Sequence, residues 1–172
     1  ADKFSVRIRI PGWARNEAIP GGLYSFAGES DQKHAIAVNG EPVEAEIIEG
    51  YAVISRKWQA GDRVELDIPM PVRTVVADDR VKDDEGKFAV QRGPLMFCAE
   101  WPDNAGGHIL GLVVDENPEF STEYRAEMLN GTQVVKTRAR EAARNLDGSI
   151  SLGEYGELTL IPEDSRSLLA MD

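Results

Sequence analysis

Short segments with a period of two, separated by turn residues, constrain this fold more than any other feature of the sequence. Residues 4–10 (FSVRIRI) alternate apolar and polar side chains and end at Pro11, and residues 63–68 (RVELDI) show the same pattern. A period of two is typical of a strand with one buried and one solvated face. Asn39 and Gly40 stand between two further segments of this kind, and both tolerate the positive φ of a type I′ turn. The pattern predicts antiparallel strands joined by tight turns.

Other segments of the first hundred residues extend this prediction. Residues 51–57 are a strand that the turn residues 59–62 join to the strand at residues 63–68. A further hairpin-like unit has its tip at residues 83–86. The run LMFCAEW, which starts at Leu95, follows as another strand. Strands at this spacing indicate an all-β fold, an antiparallel β-sandwich or jelly roll with long loops. Residues 22–33 are predicted to form a long polar connection within it.

The predicted domain organisation has three parts. Residues 1–101 form a β-sandwich, residues 102–108 form a flexible connection, and residues 109–172 follow. The last part either adds strands to the same sandwich or forms a second small β unit. Residues 136–146 stay open between two interpretations, because their alanines have helical spacing while the preceding residues are extended.

Composition and charge exclude several classes of function. The hydrophobic content of 42% and charged content of 28% are typical of a soluble globular protein. The net charge of −11 is spread evenly along the chain, which predicts no basic patch, no nucleic-acid partner and no binding to an anionic membrane. No apolar run approaches the ~20 residues of a membrane span. The sequence leaves the cellular compartment open.

Cysteine and histidine offer little chemistry here. Cys98 is the only cysteine and stands among large apolar residues, so we interpret it as a small core hydrophobe rather than a nucleophile. His34 and His108 are far apart in the sequence, and two histidines alone do not make a zinc site. Both are predicted to be surface residues.

Carboxylates concentrate in one short segment, ADDRVKDDEG. Its acidic residues are Asp78, Asp79, Asp83, Asp84 and Glu85. Calcium requires six or more oxygen ligands in a defined geometry, and the spacing of an EF-hand is absent. A solvated, charged hairpin tip is therefore the preferred interpretation.

Aromatic residues could form a platform on which sugars stack. The candidates are Trp13, Tyr24, Phe26, Tyr51, Trp58 and Trp101. Trp13 and Trp58 stand at strand ends, where large rings commonly cover a core. Tyr24 and Phe26 lie in the polar connection and are the candidates for contact with a glycan.

Five stretches, taken in order, resemble a known family. They are RIRIPGWA, AVNGEPV, GYAVISRKWQAGDRVELDIPM, QRGPLMFCAEWPDN and ELTLIP. Together they resemble the region that follows the catalytic domain in glycoside hydrolase family 127, the bacterial β-L-arabinofuranosidases. The resemblance covers most of residues 4–161 and is strongest over residues 4–104.

The resemblance implies where the chemistry of such an enzyme resides. The family's catalytic domain is an (α/α)₆ barrel that carries a zinc-bound cysteine nucleophile, further zinc ligands and a glutamate acid/base. None of those motifs has a matching position here, so no catalytic, metal-binding or cofactor-binding residue is carried over. Cys98 matches a strand that the family does not use for catalysis.

The resemblance also concerns the two ends of the chain. It implies that FSVRIRI follows a barrel absent from this sequence. After Pro162 the chain reads EDSRSLLAMD, whereas the family continues into a last strand. We expect that strand to be missing or replaced, which would expose a sheet edge.

These features favour an accessory domain that packs on its own catalytic barrel in a hydrolase of arabinofuranosides. Two alternatives stay open. One is a carbohydrate-binding module that contacts arabinose-rich plant glycans through Tyr24 and Phe26. The other is a free-standing interaction domain. A self-sufficient hydrolase built on a carboxylate pair is the least supported, because an acidic sequence offers many such pairs by chance.

Overall fold

The structure, a computed structural model, is built almost entirely from β-strands. It describes residues 2–104, 106–107, 109–128 and 130–163. Its strands are β1 (Asp2–Arg9), β2 (Tyr24–Phe26), β3 (Ala35–Val38), β4 (Glu41–Pro42), β5 (Glu46–Ile48), β6 (Tyr51–Trp58), β7 (Val64–Asp67), β8 (Val72–Ala77), β9 (Phe88–Arg92), β10 (Leu95–Ala99), β11 (Leu112–Val114), β12 (Ser121–Arg125), β13 (Thr132–Arg144) and β14 (Ile150–Pro162). Three single-turn 3₁₀ helices join them, Gly12–Arg15, Lys82–Asp84 and Trp101–Asp103. No helix in the described part of the chain is long and apolar enough to cross a membrane.

Every strand pair whose register the structure gives for the described residues is antiparallel, which confirms the predicted all-β class. Contacts divide the chain into two compact units, residues 1–88 with 92–94 and residues 89–91 with 95–172. This division passes through β9. The flexible connection predicted over residues 102–108 stays a prediction.

The first unit contains two three-stranded sheets with the orders β1-β6-β5 and β4-β3-β7. Their facing sides enclose one core because alternate residues of β3 and β6 are buried. The buried members of this core are Ile10, Ile36, Val38, Ala52, Ile54 and Trp58. This arrangement is the sandwich that the period of two predicts.

Two details of the first unit confirm local predictions. Asn39 and Gly40 have φ angles of 56° and 81°, and they join β3 to β4 as the Asn-Gly pair indicates. Trp58 ends β6, is buried, and donates its indole N–H to the carbonyl of Phe4 at 3.0 Å. The ring therefore covers the core at a strand end.

A shared carboxylate joins two turns of the first unit. Asp62 accepts hydrogen bonds from the side-chain amide of Asn39 and the backbone N–H of Gln59, both at 2.9 Å. The bond from Asn39, followed by that from Gln59, lowers the pKa of Asp62 below its ordinary 3.8. A carboxyl whose pKa is depressed by folding stabilises the native state above the unfolded-state pKa. That contribution is lost as the pH falls from about 3.8 through the folded-state value.

We expect the variant Asn39→Gly to raise the Asp62 pKa toward 3.8, because it removes the amide donor while glycine keeps the positive φ. Carboxyl-carbon NMR titration of both proteins measures the midpoint. Asp78 serves as an internal control, since its lowered pKa comes from Arg80 and should not change. An Asp62 midpoint that is the same in both proteins would contradict the assigned cause.

The second unit settles the open question over residues 136–146. Residues 136–144 belong to β13, which ends at Arg144 and pairs with β11, β12 and β14, and Asn145 and Leu146 lie in the loop that follows. Thr137 and Ala139 are buried while Arg138 between them is exposed, which is the alternation of a strand. Pairing with three neighbours satisfies the backbone along β13 and outweighs the helix propensity of its alanines.

One predicted loop is partly wrong. The polar connection over residues 22–33 contains the strand β2, in which Tyr24 lies opposite Ala77 and Phe26 opposite Val75 of β8. Three residues among polar neighbours give too short a pattern to be recognised, and the pairing with β8 defines the strand.

Asn104 is bound tightly within the second unit. Its side-chain amide donates to the carbonyls of Glu100 at 2.8 Å and Thr159 at 3.0 Å, and its oxygen accepts from the Thr159 N–H at 2.8 Å. The side chain thus bonds to β14 where the chain leaves β10. At this residue, inside the segment predicted to be flexible, the connection is held to the sheet.

Candidate functional surfaces

Tyr24 and Phe26, the candidates for glycan contact, are half-buried and already have partners within the first unit. The Tyr24 hydroxyl donates to Asp84 at 3.0 Å, and the bond to that carboxylate raises the pKa of Tyr24. The guanidinium carbon of Arg73 lies 3.6 Å from the centre of the Phe26 ring. Arg73 is in turn bound by Asn16 and the carbonyl of Gly28. Their role toward a glycan stays a prediction.

The acidic segment forms the connection between β8 and β9 and lines a shallow groove of about 230 Å³. Asp78 pairs with Arg80 at 2.6 Å, and Asp84 receives the Tyr24 hydroxyl. Ligand pockets usually have volumes of ~300–1,000 Å³. A groove of this size, in which Asp78 and Asp84 are already bonded, fits the interpretation as a charged connection better than a site for a sugar chain.

Metal-binding residues do not come together in the described part of the chain. No group of three or more His, Cys, Asp or Glu side chains there could hold a metal ion. His34 is half-buried, and His108 lies outside the described residues. The donor set that the family resemblance associates with zinc is therefore not assembled by the described residues.

Cys98 lies half-buried in β10, with its Sγ 3.7 Å from the carbonyl oxygen of Ile161 and 3.8 Å from a carboxylate oxygen of Glu100. Burial, and then the negative charge of Glu100, raise the pKa of the thiol above its ordinary value. The thiolate is the reactive form, so both effects suppress nucleophilicity. This geometry fits a packing residue.

We expect iodoacetamide to alkylate Cys98 much more slowly in the folded chain than in the same chain unfolded in urea at the same pH. Burial and the raised pKa both reduce the reactive thiolate. Mass spectrometry against time gives the two rates, and the single cysteine makes the assignment direct. Equal rates would contradict the assigned protection.

One exposed apolar surface of the second unit belongs to a two-stranded hairpin. β13 and β14 pair from Val135 opposite Leu160 to Arg144 opposite Ile150, with a bulge beyond Arg140. Residues 158–162 of β14 are buried, whereas residues 150–157 are all exposed. We name residues 141–156, the exposed end of this hairpin, the hairpin arm.

Apolar side chains of the hairpin arm project into solvent. Leu146 is fully exposed, Ile150 is 71% exposed and Leu152 is 41% exposed. Leu110, which precedes β11, is 93% exposed in the same unit. A two-stranded ribbon of this kind is marginally stable by itself in water. Such a surface is typical of an interaction site.

Polar contacts hold the base of the hairpin arm. The Tyr155 hydroxyl donates to both carboxylate oxygens of Asp115 at 2.9 Å. The guanidinium carbons of Arg138 and Arg140 lie 4.3 Å and 4.7 Å from the centre of the Tyr155 ring. These contacts fix the direction in which the arm leaves the sheet.

Sequence reasoning missed the hairpin arm, although a signal was present. Asp147 and Gly148 stand between two alternating segments, which is a hairpin signal as strong as Asn39 with Gly40. The helical spacing of the preceding alanines obscured it. No pattern in the sequence indicates that both faces of the arm are exposed.

Comparison with known proteins gives two matching family models. The model described as "Beta-L-arabinofuranosidase, GH127 middle domain" matches residues 1–70. The model described as "Glycoside hydrolase family 127 C-terminal domain" matches residues 72–163. The boundary between them falls between β7 and β8.

Individual relatives agree with these matches. A non-reducing end β-L-arabinofuranosidase of Bifidobacterium longum subsp. longum is 31% identical over 172 aligned residues, covering 92% of this chain and 23% of that protein. A solved GH127 β-arabinofuranosidase is 38% identical with a TM-score of 0.83, covering 95% of this chain and 26% of that one. A solved GH127 β-L-arabinofuranosidase of Geobacillus stearothermophilus T6 is 26% identical with a TM-score of 0.77, covering 95% and 24%. The chain thus spans about a quarter of the length of these relatives.

Proposed function

Because the chain belongs to glycoside hydrolase family 127, we propose that it is a non-catalytic accessory part of a hydrolase of arabinofuranosides. In this proposal it packs on and supports an (α/α)₆ catalytic barrel outside this chain, and that barrel holds the zinc and the reacting residues. The relatives' lengths support the proposal, since this chain aligns with only 23–26% of each. Plant glycans would be the substrates of the parent enzyme.

The single observation that carries the packing role is the hairpin arm. An accessory domain needs an apolar surface that is exposed when the domain stands alone and covered when its partner is present. Leu146 and Ile150 supply such a surface at the tip of a ribbon whose residues 150–157 are exposed in the described part of the chain. A protein partner seated on both sides of the arm would stabilise it.

The test is an association experiment with the catalytic region encoded next to this segment in its source genome. Reading the DNA on both sides of the segment identifies that region. We expect the 172-residue chain to co-elute with the separately produced catalytic region in size-exclusion chromatography. We expect the variant Leu146→Asn/Ile150→Asn to bind at least about tenfold more weakly, because it removes apolar side chains at the centre of the contact.

The matched control is Ile19→Asn/Leu23→Asn, which makes the same changes at positions that are each 42% exposed in the first unit. It should bind like the unchanged chain. A start codon immediately before Ala1 with no catalytic region upstream would overturn the accessory role. Equal binding by the arm variant and the unchanged chain would overturn the assignment of the arm.

Glycan binding through Tyr24 and Phe26 receives less support. Both side chains have partners in the first unit, and a sugar would have to compete with Asp84 or Arg73. Binding to arabinan that is lost in Tyr24→Ala would bring this alternative forward.

A further inference from the structure

The outer face of the β1-β6-β5 sheet concentrates positive charge in an otherwise acidic chain. Alternation turns Lys3, Ser5, Arg7 and Arg9 of β1 to the side away from the core, and all four are exposed. The register sets Lys3 opposite Lys57 of β6. We name the surface formed by Lys3, Arg7, Arg9, Lys57 and Tyr51 the basic face.

The basic face has almost no internal counter-charge. Glu46 of β5, opposite Val53, is the acidic residue that the register turns to the same side of the sheet. None of the four cations belongs to an ion pair within the described residues. The whole chain carries a net charge of −11, so this concentration of cations runs against the composition. The prediction of no basic patch, made from the even spread of charge along the sequence, is wrong for this sheet face, because the register of two strands brings the cations together.

An exposed aromatic ring stands among these cations. Tyr51 lies opposite Arg9 and is 38% exposed. The guanidinium carbons of Arg7 and Arg9 both lie 5.6 Å from the centre of that ring. Ser5 and Ser55 add a pair of hydroxyls joined at 2.6 Å. An aromatic ring, guanidinium groups and hydroxyls on one sheet face match the apolar faces, carboxylates and hydroxyls of acidic sugars.

From this geometry we propose that the basic face binds a carboxylated polysaccharide. Alternate residues of a strand are roughly 6.6 Å apart, so Lys3 to Arg9 extends about 20 Å along β1. That length accommodates several consecutive sugars of an extended chain. The inference rests on this sheet face alone and is independent of the accessory role.

Two other classes of partner fit the face less well. Protein interfaces have apolar centres depleted in lysine, whereas β1 and β6 turn two lysines, two arginines and two serines to this side, beside Tyr51 and Val53. Duplex DNA carries a charge every ~1.7 Å, so the acidic remainder of the chain would repel it strongly. A polysaccharide with one carboxylate per sugar has a lower charge density and suffers less repulsion.

The test is affinity electrophoresis of the 172-residue chain in gels that contain polygalacturonate, fully methyl-esterified polygalacturonate or duplex DNA. We expect polygalacturonate alone to retard the chain at low ionic strength. In Arg7→Glu/Arg9→Glu the affinity should fall at least about tenfold, since two charge-assisted contacts become repulsive. Tyr51→Ala, which keeps every charge, should weaken binding several-fold.

The control Lys33→Glu/Lys82→Glu changes the net charge equally at exposed positions outside the face and outside the hairpin arm, and it should bind like the unchanged chain. Far-UV circular dichroism verifies that each variant is folded, and Arg7→Gln/Arg9→Gln replaces the charge-reversed variant if that one is not. Absence of retardation by polygalacturonate would overturn the proposal. The proposal would also be overturned if the methyl-esterified polymer or DNA retarded the chain as strongly as polygalacturonate. A loss of affinity in the control variant equal to that in the arginine variant would overturn it as well.

Discussion

We expect Asn104→Ala to lower the free energy of unfolding by about 2–4 kcal/mol, because it removes three hydrogen bonds that are each worth about 0.5–1.5 kcal/mol. Two of these bonds join its amide to the backbone of Thr159, a residue that is only 4% exposed. Truncation leaves the buried N–H of Thr159 without this partner, and such a group costs more than an exposed one. Urea unfolding followed by circular dichroism measures the difference.

Asn117→Ala is the matched control, since Asn117 is exposed in a loop of the same unit. Its effect should stay within about 0.5 kcal/mol. A loss at Asn104 no greater than at Asn117 would show that the connection after β10 is not held by this side chain. In that case the flexible connection predicted from the sequence would extend through residue 104.

The second large effect is expected for Ile10→Ala, at about 2–5 kcal/mol of unfolding free energy. Ile10 has no exposed surface and packs in the core between the two three-stranded sheets. Its backbone N–H donates to Gly50 at 2.9 Å, which fixes the residue at the end of β1. Interior side chains are close-packed, so the lost atoms leave a cavity that neighbours fill only in part.

Ile19→Ala makes the same chemical change at a side chain that is 42% exposed. It should cost about 0.5 kcal/mol or less. Thermal and urea unfolding of the two variants beside the unchanged chain give the comparison. Similar losses at both positions would mean that the sandwich core of the first unit is not packed around Ile10.

Local patterns predicted much of the architecture. Strands β1, β3, β6 and β7 follow from a period of two, which is a property of each strand by itself. The turn at Asn39 follows from the backbone freedom of two residues. Such features depend on neighbours in the sequence, so they can be read before any tertiary contact is known. The family resemblance, now confirmed by both family models, rests on the same short stretches.

The candidate surfaces were harder to predict, because exposure depends on what packs against a residue. Tyr24 was interpreted as an exposed loop residue, but pairing of β2 with β8 brings it to Asp84. Residues 136–144 carry alanines at helical spacing, and only pairing with three neighbouring strands makes them a strand. The hairpin arm carried a turn signal, yet its exposure on both sides is a property of the assembled sheet.

By itself, the sequence determined the strand positions, the tight turns, the all-β class and the family, because these depend on side-chain alternation and on backbone preferences within a few residues. Only the tertiary structure decided which polar groups are consumed inside the fold and which remain free to bind. Lys3 and Lys57 are 54 positions apart in the sequence but lie opposite each other on the paired strands β1 and β6. Strand register, set by burial of the opposite face, is the physical reason that they meet.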